Sequence, residues 1–309
     1  MKASKIFIFA LALTFVLANT SCNRGTDDPD TIDAKELRHA TDTDRIKAES
    51  DQVTGDADGI MSESSLGRTV GTTTTLCGAT VDSSQIAQKI LTVTYDNSTS
   101  CGGYVRSGSI TLKLVAGTRW RDQNAVLEVT HNNYKVIRQS DNKSITFNGV
   151  KRITNVQPFN FQTLSKELKE RGNNLSITFD DGTQRTWSLA RRWIFTFVSV
   201  NPAVVNCSIT GDSTLNGVTN TMVWGTNRDG VMFKNSTPIP ILTTIGGACS
   251  PRNPSAGKWV HNLDGKGTLT ATLGVDANGN AVSSGCAYGY KLEWLGVNGG
   301  TASVVKAYQ

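Results

Sequence analysis

From Gly71 onward, apolar and polar residues alternate one for one in run after run, and a chain with that period buries one face only as a β-sheet. Leu91-Thr92-Val93-Thr94-Tyr95, Ser109-Ile110-Thr111-Leu112-Lys113-Leu114, Leu175-Ser176-Ile177-Thr178-Phe179 and Tyr290-Lys291-Leu292-Glu293-Trp294 all carry it. Between the runs lie Asn148-Gly149, Asp181-Gly182, Asp264-Gly265, Asn278-Gly279 and Asn298-Gly299, pairs that accept the positive φ of tight hairpins. The expected fold is all-β, an antiparallel meander or sandwich-like arrangement. One stretch competes: Phe161 to Arg171, with Leu164 and Leu168 four apart and Gly172 as a stop, predicts a short helix or turn between strands.

The N-terminus has a different character. Lys2 and Lys5 precede an apolar stretch from Ile6 to Ala18 broken only by Thr14, the pattern of a secretory signal and shorter than the roughly 20 residues of a membrane span. Thr20-Ser21-Cys22 follows, with Asn19 where Leu or Val is usual. A small-residue site ending in cysteine predicts removal of residues 1–21 and lipid attachment at Cys22; the simpler alternative is an ordinary secretory signal cut nearby. Two or three acyl chains on one cysteine hold a protein on a membrane almost irreversibly, at about 0.8 kcal/mol per buried methylene.

Charge divides the chain further. Residues 23–70 carry 12 acidic and 6 basic side chains, leaving 23 basic against 14 acidic from Gly71 to the end. Residues 22–70 therefore predict an acidic tether ahead of a basic body. Such a body would attract acidic glycans, lipid headgroups or its own tether, and a solvated surface is the plainest account. The overall formal charge of +5 gives no case for a nucleic-acid partner. Within the tether, Ile46, Val53, Ile60 and Met61 predict a short amphipathic helix over Asp44 to Met61. Asp56-Ala57-Asp58-Gly59 resembles part of a calcium loop, but Thr54 and Ser65 occupy positions that need carboxylates, and the match fails.

Five cysteines follow Cys22. Cys77 with Cys101 and Cys249 with Cys286 each bracket one alternating run and precede another, so spacing predicts two disulfides with Cys207 left free. The brackets share a plan, which predicts two related β-modules, 71–200 and 201–309. The string Thr92-Val93-Thr94-Tyr95-Asp96, the Cys101 turn, Arg106-Ser107-Gly108-Ser109-Ile110-Thr111-Leu112 and Thr130-His131-Asn132-Asn133-Tyr134-Lys135-Val136 resembles a family of cysteine-bracketed, β-rich lipoproteins of the Bacteroidota. The likeness extends more loosely through Ile177 to Thr183 and to the second bracket. Asn23 to Asp30 likewise resembles the acidic stretch after the lipid cysteine of surface-exported lipoproteins in that phylum. The resemblance implies a lipid-anchored protein of the outer membrane or cell surface and brings no activity with it.

Catalytic patterns are missing. No HExxH, GxSxG, phosphate loop or GxGxxG appears. Gly211-Asp212-Ser213-Thr214 looks like a GDSL-type esterase start, but its lead-in is polar and Lys258 stands three before His261 where an Asp belongs. The expectation is a binding or structural protein, not an enzyme, with no cofactor and no metal. One alternative is a glycan-binding or glycan-acting protein, for which Glu128, Glu167, Glu170 and Glu293 are the body's only glutamates; another is an accessory subunit of an outer-membrane β-barrel. Trp193 and Trp294 fall in phase with core positions. Trp120, between Arg119 and Arg121, and Trp259, after Lys258, are the predicted surface rings for a ligand. The lipid expectation is tested by fractionation: Cys22→Ser should move the protein from membranes to the soluble fraction, and continued sedimentation with membranes contradicts it.

Overall fold

The alternating runs become antiparallel strands joined largely by hairpins. The computed structural model describes residues 32, 34–64 and 76–308, so the signal segment, Cys22 and the first part of the acidic stretch lie outside the described residues. The strands are β1 (Ala79–Asp82), β2 (Ile90–Cys101), β3 (Tyr104–Ala116), β4 (Ala125–Arg138), β5 (Ser144–Asn160), β6 (Ser165–Phe179), β7 (Gln184–Val200) and β8 (Ala203–Gly211). They continue as β9 (Ser213–Leu215), β10 (Val218–Thr226), β11 (Met232–Ile245), β12 (Ala256–Leu263), β13 (Gly267–Val275), β14 (Gly289–Gly296) and β15 (Thr301–Ala307). All belong to one sheet, whose order follows the chain from β1 to β7, steps to β10, and follows it again to β15.

The all-β meander is thus as expected, with one embellishment. β8 pairs with β7 and β11, and β10 pairs with the same two strands, so β7, β8, β11 and β10 close a small four-stranded barrel. Backbones come so close there that only glycine fits: a Cβ on Gly211 would stand 1.9 Å from the Asn220 carbonyl oxygen. Because β7 pairs with both β8 and β10, the sheet runs unbroken through the boundary expected at residue 200. Both disulfides, Cys77–Cys101 and Cys249–Cys286, are formed, and Cys207 is free and buried on β8. The stretch from Phe161 to Arg171 is not helical. Phe161 to Leu164 is a turn, with Leu164 at φ 47°, and the rest belongs to β6, where Leu168 and Glu170 alternate inward. The four-residue spacing joined a turn leucine to a strand leucine.

The larger correction concerns the acidic segment. Instead of a short helix in a solvated tether, Ala34–Glu63 forms one helix, α1, which at 1.5 Å per residue is about 45 Å long. It lies in the hollow of the sheet. Only Ala34, Lys35, Arg38 and Gly55 are exposed, while Glu36, His39, Asp42, Lys47 and Glu49 are buried alongside Ile46, Val53, Ile60 and Met61. An amphipathic pattern presumes an apolar partner, and this sheet also supplies countercharges. Arg228 grips Asp42 through two 2.6 Å contacts, Arg106 and Arg252 reach Glu49 at 3.3 and 3.0 Å, and Arg38 meets Asp229 at 2.8 Å. The basic body does attract its own acidic segment.

The deepest of these contacts is a buried ionic cluster. Glu170 on β6 stands directly across from Arg191 on β7, which contacts it at 2.6 and 2.8 Å, and Lys151 on β5 reaches its other oxygen at 2.8 Å. The helix completes the cluster: the Thr54 hydroxyl donates to Glu170 at 2.9 Å, Lys151 donates to the Ser50 carbonyl at 3.0 Å, and Asp51 pairs with Arg191. Burial alone would raise the Glu170 pKa, but the adjoining Arg191 and Lys151 charges overcome it and hold the carboxyl at about 2. Removing one member of such a group leaves uncompensated buried charge, at a cost of about 3 to 5 kcal/mol, whereas an exposed pair is worth about 1 kcal/mol or less. Urea unfolding should therefore show Glu170→Gln destabilised by about 3 to 5 kcal/mol and Glu128→Gln, whose partner Arg152 is exposed, by under about 1 kcal/mol; similar losses for both would contradict the assignment.

Candidate functional site

Packing a polar helix face against an apolar sheet leaves a gap, because closing it would strip water from charged groups with nothing to replace it. That gap is a concave site walled by the sheet on one side and by α1 on the other. Its sheet wall is made of inward side chains of β5 to β8 and β11, chiefly Phe159, Leu168, Trp193, Phe195, Phe197, Val205, Cys207, Ile209, Ile241 and Ile245. Its helix wall is one stripe of α1, Asp44, Lys47, Ala48, Asp51, Gly55, Asp58 and Ser62, at three- and four-residue spacing over about 27 Å. The enclosed volume is about 550 Å³, inside the range of roughly 300 to 1,000 Å³ typical of small-molecule sites. Solvent reaches it beside the exposed Gly55, Ile245 and Pro251. At one end Phe159 stacks edge-on against both Phe197 and the largely exposed Phe161, extending the apolar wall to the surface.

Charges lining the cavity are nearly all neutralised by neighbours. Lys47 and Arg191 hold Asp51, Lys166 and the Trp120 indole hold Asp58, and Glu49 holds Arg252. Asp44 differs: among the described residues it makes no hydrogen bond and no ion pair. Burial within the protein pushes its carboxyl up to about 6, Lys47 opposes that rise, and the Asp51 charge adds to it. Asp44 keeps its partial exposure through cavity space, since two further small voids of about 20 and 10 Å³ adjoin it, one bordered by Tyr104 and Tyr308, the other by Trp259 and Tyr290. Cys207 is no nucleophile in this setting, because burial raises its thiol to about 12.

The two predicted surface tryptophans are corrected. Trp120 is fully buried, its indole donating to Asp58 at 2.8 Å, and Trp259 points inward from β12 beside His261. In each case the flanking Arg or Lys takes the outward position and the ring takes the inward one, as strand or turn geometry requires. Neither offers a sugar-stacking surface. Trp193 is buried as expected, and Trp294 is partly buried against the core. The body glutamates are paired: Glu128 with Arg152, Glu167 with Arg192, Glu293 with Lys291, and Glu170 within the ionic cluster. Among the described residues, no group of three or more His, Cys, Asp or Glu is placed to hold a metal ion.

The cavity was not visible in the sequence. Its wall residues read as ordinary core, and its helix stripe read as solvated charge; the available signal was the run of small or acidic residues Ala48, Gly55 and Asp58 on one helical face. Comparisons with protein-family models, curated proteins and solved structures find no match to the chain.

An ionised Asp44 with a folded-state pKa of about 6, against an ordinary 3.8, is a cost to the folded protein above pH 6. Between those values the folded state binds the extra proton, so the cost shrinks as pH falls through 6 and vanishes below 3.8. Asp44→Asn should raise the thermal midpoint at neutral pH and lose that advantage on acidification. A variant less stable than wild type at neutral pH would contradict this placement of the carboxylate.

Proposed function

We propose that the protein is a membrane-anchored binding protein whose cavity between α1 and the sheet receives an apolar small molecule. The observation that carries this reading is the cavity itself: an aromatic and aliphatic wall, a helix wall of fixed charges, and an opening to solvent. Such a site combines a large apolar contact area with a few polar groups that orient the occupant. Anchoring rests on the short leader followed by Cys22, and on the resemblance of the body strands to Bacteroidota lipoproteins. Two disulfides fit an oxidising compartment, the periplasm or the cell exterior. Catalysis has no support from the cavity, where the one free thiol is held protonated and all but one carboxylate are engaged.

The test uses N-phenyl-1-naphthylamine, a neutral probe that fluoresces in apolar surroundings. The protein should take it up saturably, with quenching of Trp193 emission. Gly55 faces the cavity opening, and a Cβ placed there meets no atom within 4 Å. Gly55→Trp should therefore fold with no loss of stability, since glycine costs a helix about 1 kcal/mol relative to alanine, while lowering probe affinity by about tenfold or more. Absence of saturable uptake by the wild-type protein overturns the reading.

A further inference from the structure

We infer that the occupant of this cavity is a long-chain amphiphile with a cationic head, an alkylammonium group whose charge is met by Asp44. The inference rests on the cavity reading above and specifies its ligand.

Shape argues for the chain. At about 30 Å³ for each water-sized group, 550 Å³ accommodates about eighteen such groups, and they are disposed along a stripe about 27 Å in length rather than in a sphere. The sheet wall along that stripe presents carbon and aromatic surface, with Cys207 and Thr243 its only polar side chains besides Lys166, which Asp58 occupies. A slender apolar chain fits this wall, and a sugar or nucleotide would leave many of its polar groups unpaired.

Charge argues for the head. Each cation facing the cavity already has a carboxylate: Lys47 has Asp51, Lys166 has Asp58 and Arg252 has Glu49. An anionic head would have to break one of those pairs. Among the described residues Asp44 is the lining carboxylate without a partner, and it stands at one end of the helix stripe, where the apolar wall gives way to Pro251, Arg252 and Pro254. Asp44 also lines two small voids: on one side Arg45, Arg138 and Arg252 stand with Tyr104 and Tyr308, and Arg252 already covers the Tyr104 ring at 4.6 Å, whereas on the other side Trp259 and Tyr290 border a void that no Lys or Arg lines. Aromatic faces beside one unpaired carboxylate are the surroundings that stabilise a partly desolvated ammonium group. An ionised side chain kept in a position that costs the empty protein stability is also the usual mark of a binding group.

The experiment displaces bound N-phenyl-1-naphthylamine from the full chain with decylammonium, decanol and decanoate, below their aggregation concentrations and at about pH 7.5. Decylammonium should displace the probe at a concentration about tenfold or more below that of decanol, the equivalent of one charge-assisted hydrogen bond, with decanoate weakest. Asp44→Asn should bring decylammonium to the level of decanol, each displacement being read relative to the probe affinity of the same variant, and Asp44→Glu should retain the preference. Probe uptake with equal displacement by all three compounds, or a preference that survives Asp44→Asn, overturns this inference and leaves the cavity reading standing. Failure of the wild-type protein to bind the probe at all overturns both.

Discussion

The structure depends on one buried carboxylate. Glu170 sits on the middle strand of three, with Lys151 and Arg191 converging on it from either side, all fully enclosed. Two cations around one anion leave a surplus positive charge inside a protein, and an interior tolerates that only if further acceptors are brought in. Helix α1 brings them: the Asp51 carboxylate, the Ser50 carbonyl and the hydroxyls of Ser50 and Thr54. The sheet therefore cannot be satisfied without the helix, and the helix, with so few apolar residues, has no fold of its own without the sheet. Secondary contacts at Asp42, Glu49 and Asp58 then fix its direction and depth.

A helix held by charge as well as by an apolar ridge has a structural consequence. Where sheet and helix present complementary ions they close together, and where the sheet turns apolar opposite a polar helix stripe they cannot. The cavity lies in that second region, beside the small barrel whose closure brings β8 and β11 round to form its far wall. Its chemistry follows from its origin. One wall is hydrocarbon and the other is fixed charge, in which Asp44 is the lining carboxylate without a partner among the described residues.

Much of the fold is legible in the sequence because strand periodicity and most Asn-Gly or Asp-Gly turns are local signals, although Asn148-Gly149 falls at a register irregularity inside β5 and not in a hairpin. Both disulfides could be paired from spacing, since each bracket encloses one hairpin of the meander. The helix is legible only in part. Ile46, Val53, Ile60 and Met61 mark its buried ridge, but His39, Asp42 and Glu49 look solvated until their partners are known: Arg228 lies 186 residues from Asp42, Arg252 lies 203 and Arg106 57 residues from Glu49, and His39 packs edge-on against Phe233. Trp120 and Trp259 show the reverse error: charged neighbours suggested exposure, although on strand β12 a residue next to an outward Lys258 faces inward, and in the turn before β4 the Trp120 indole turns in to Asp58 while Arg119 and Arg121 stay outside. The cavity was invisible for a deeper reason, being made by a mismatch between surfaces that no local pattern records.

The claim that α1 is an interior element of the fold is tested most directly by native-state hydrogen exchange. Amides from Thr43 to Met61 should exchange as slowly as those of β5, β6 and β7, opening only with global unfolding. Rapid exchange across that segment while the strands stay protected would make it a loosely attached tether, and would contradict both the ionic cluster and the cavity built upon it.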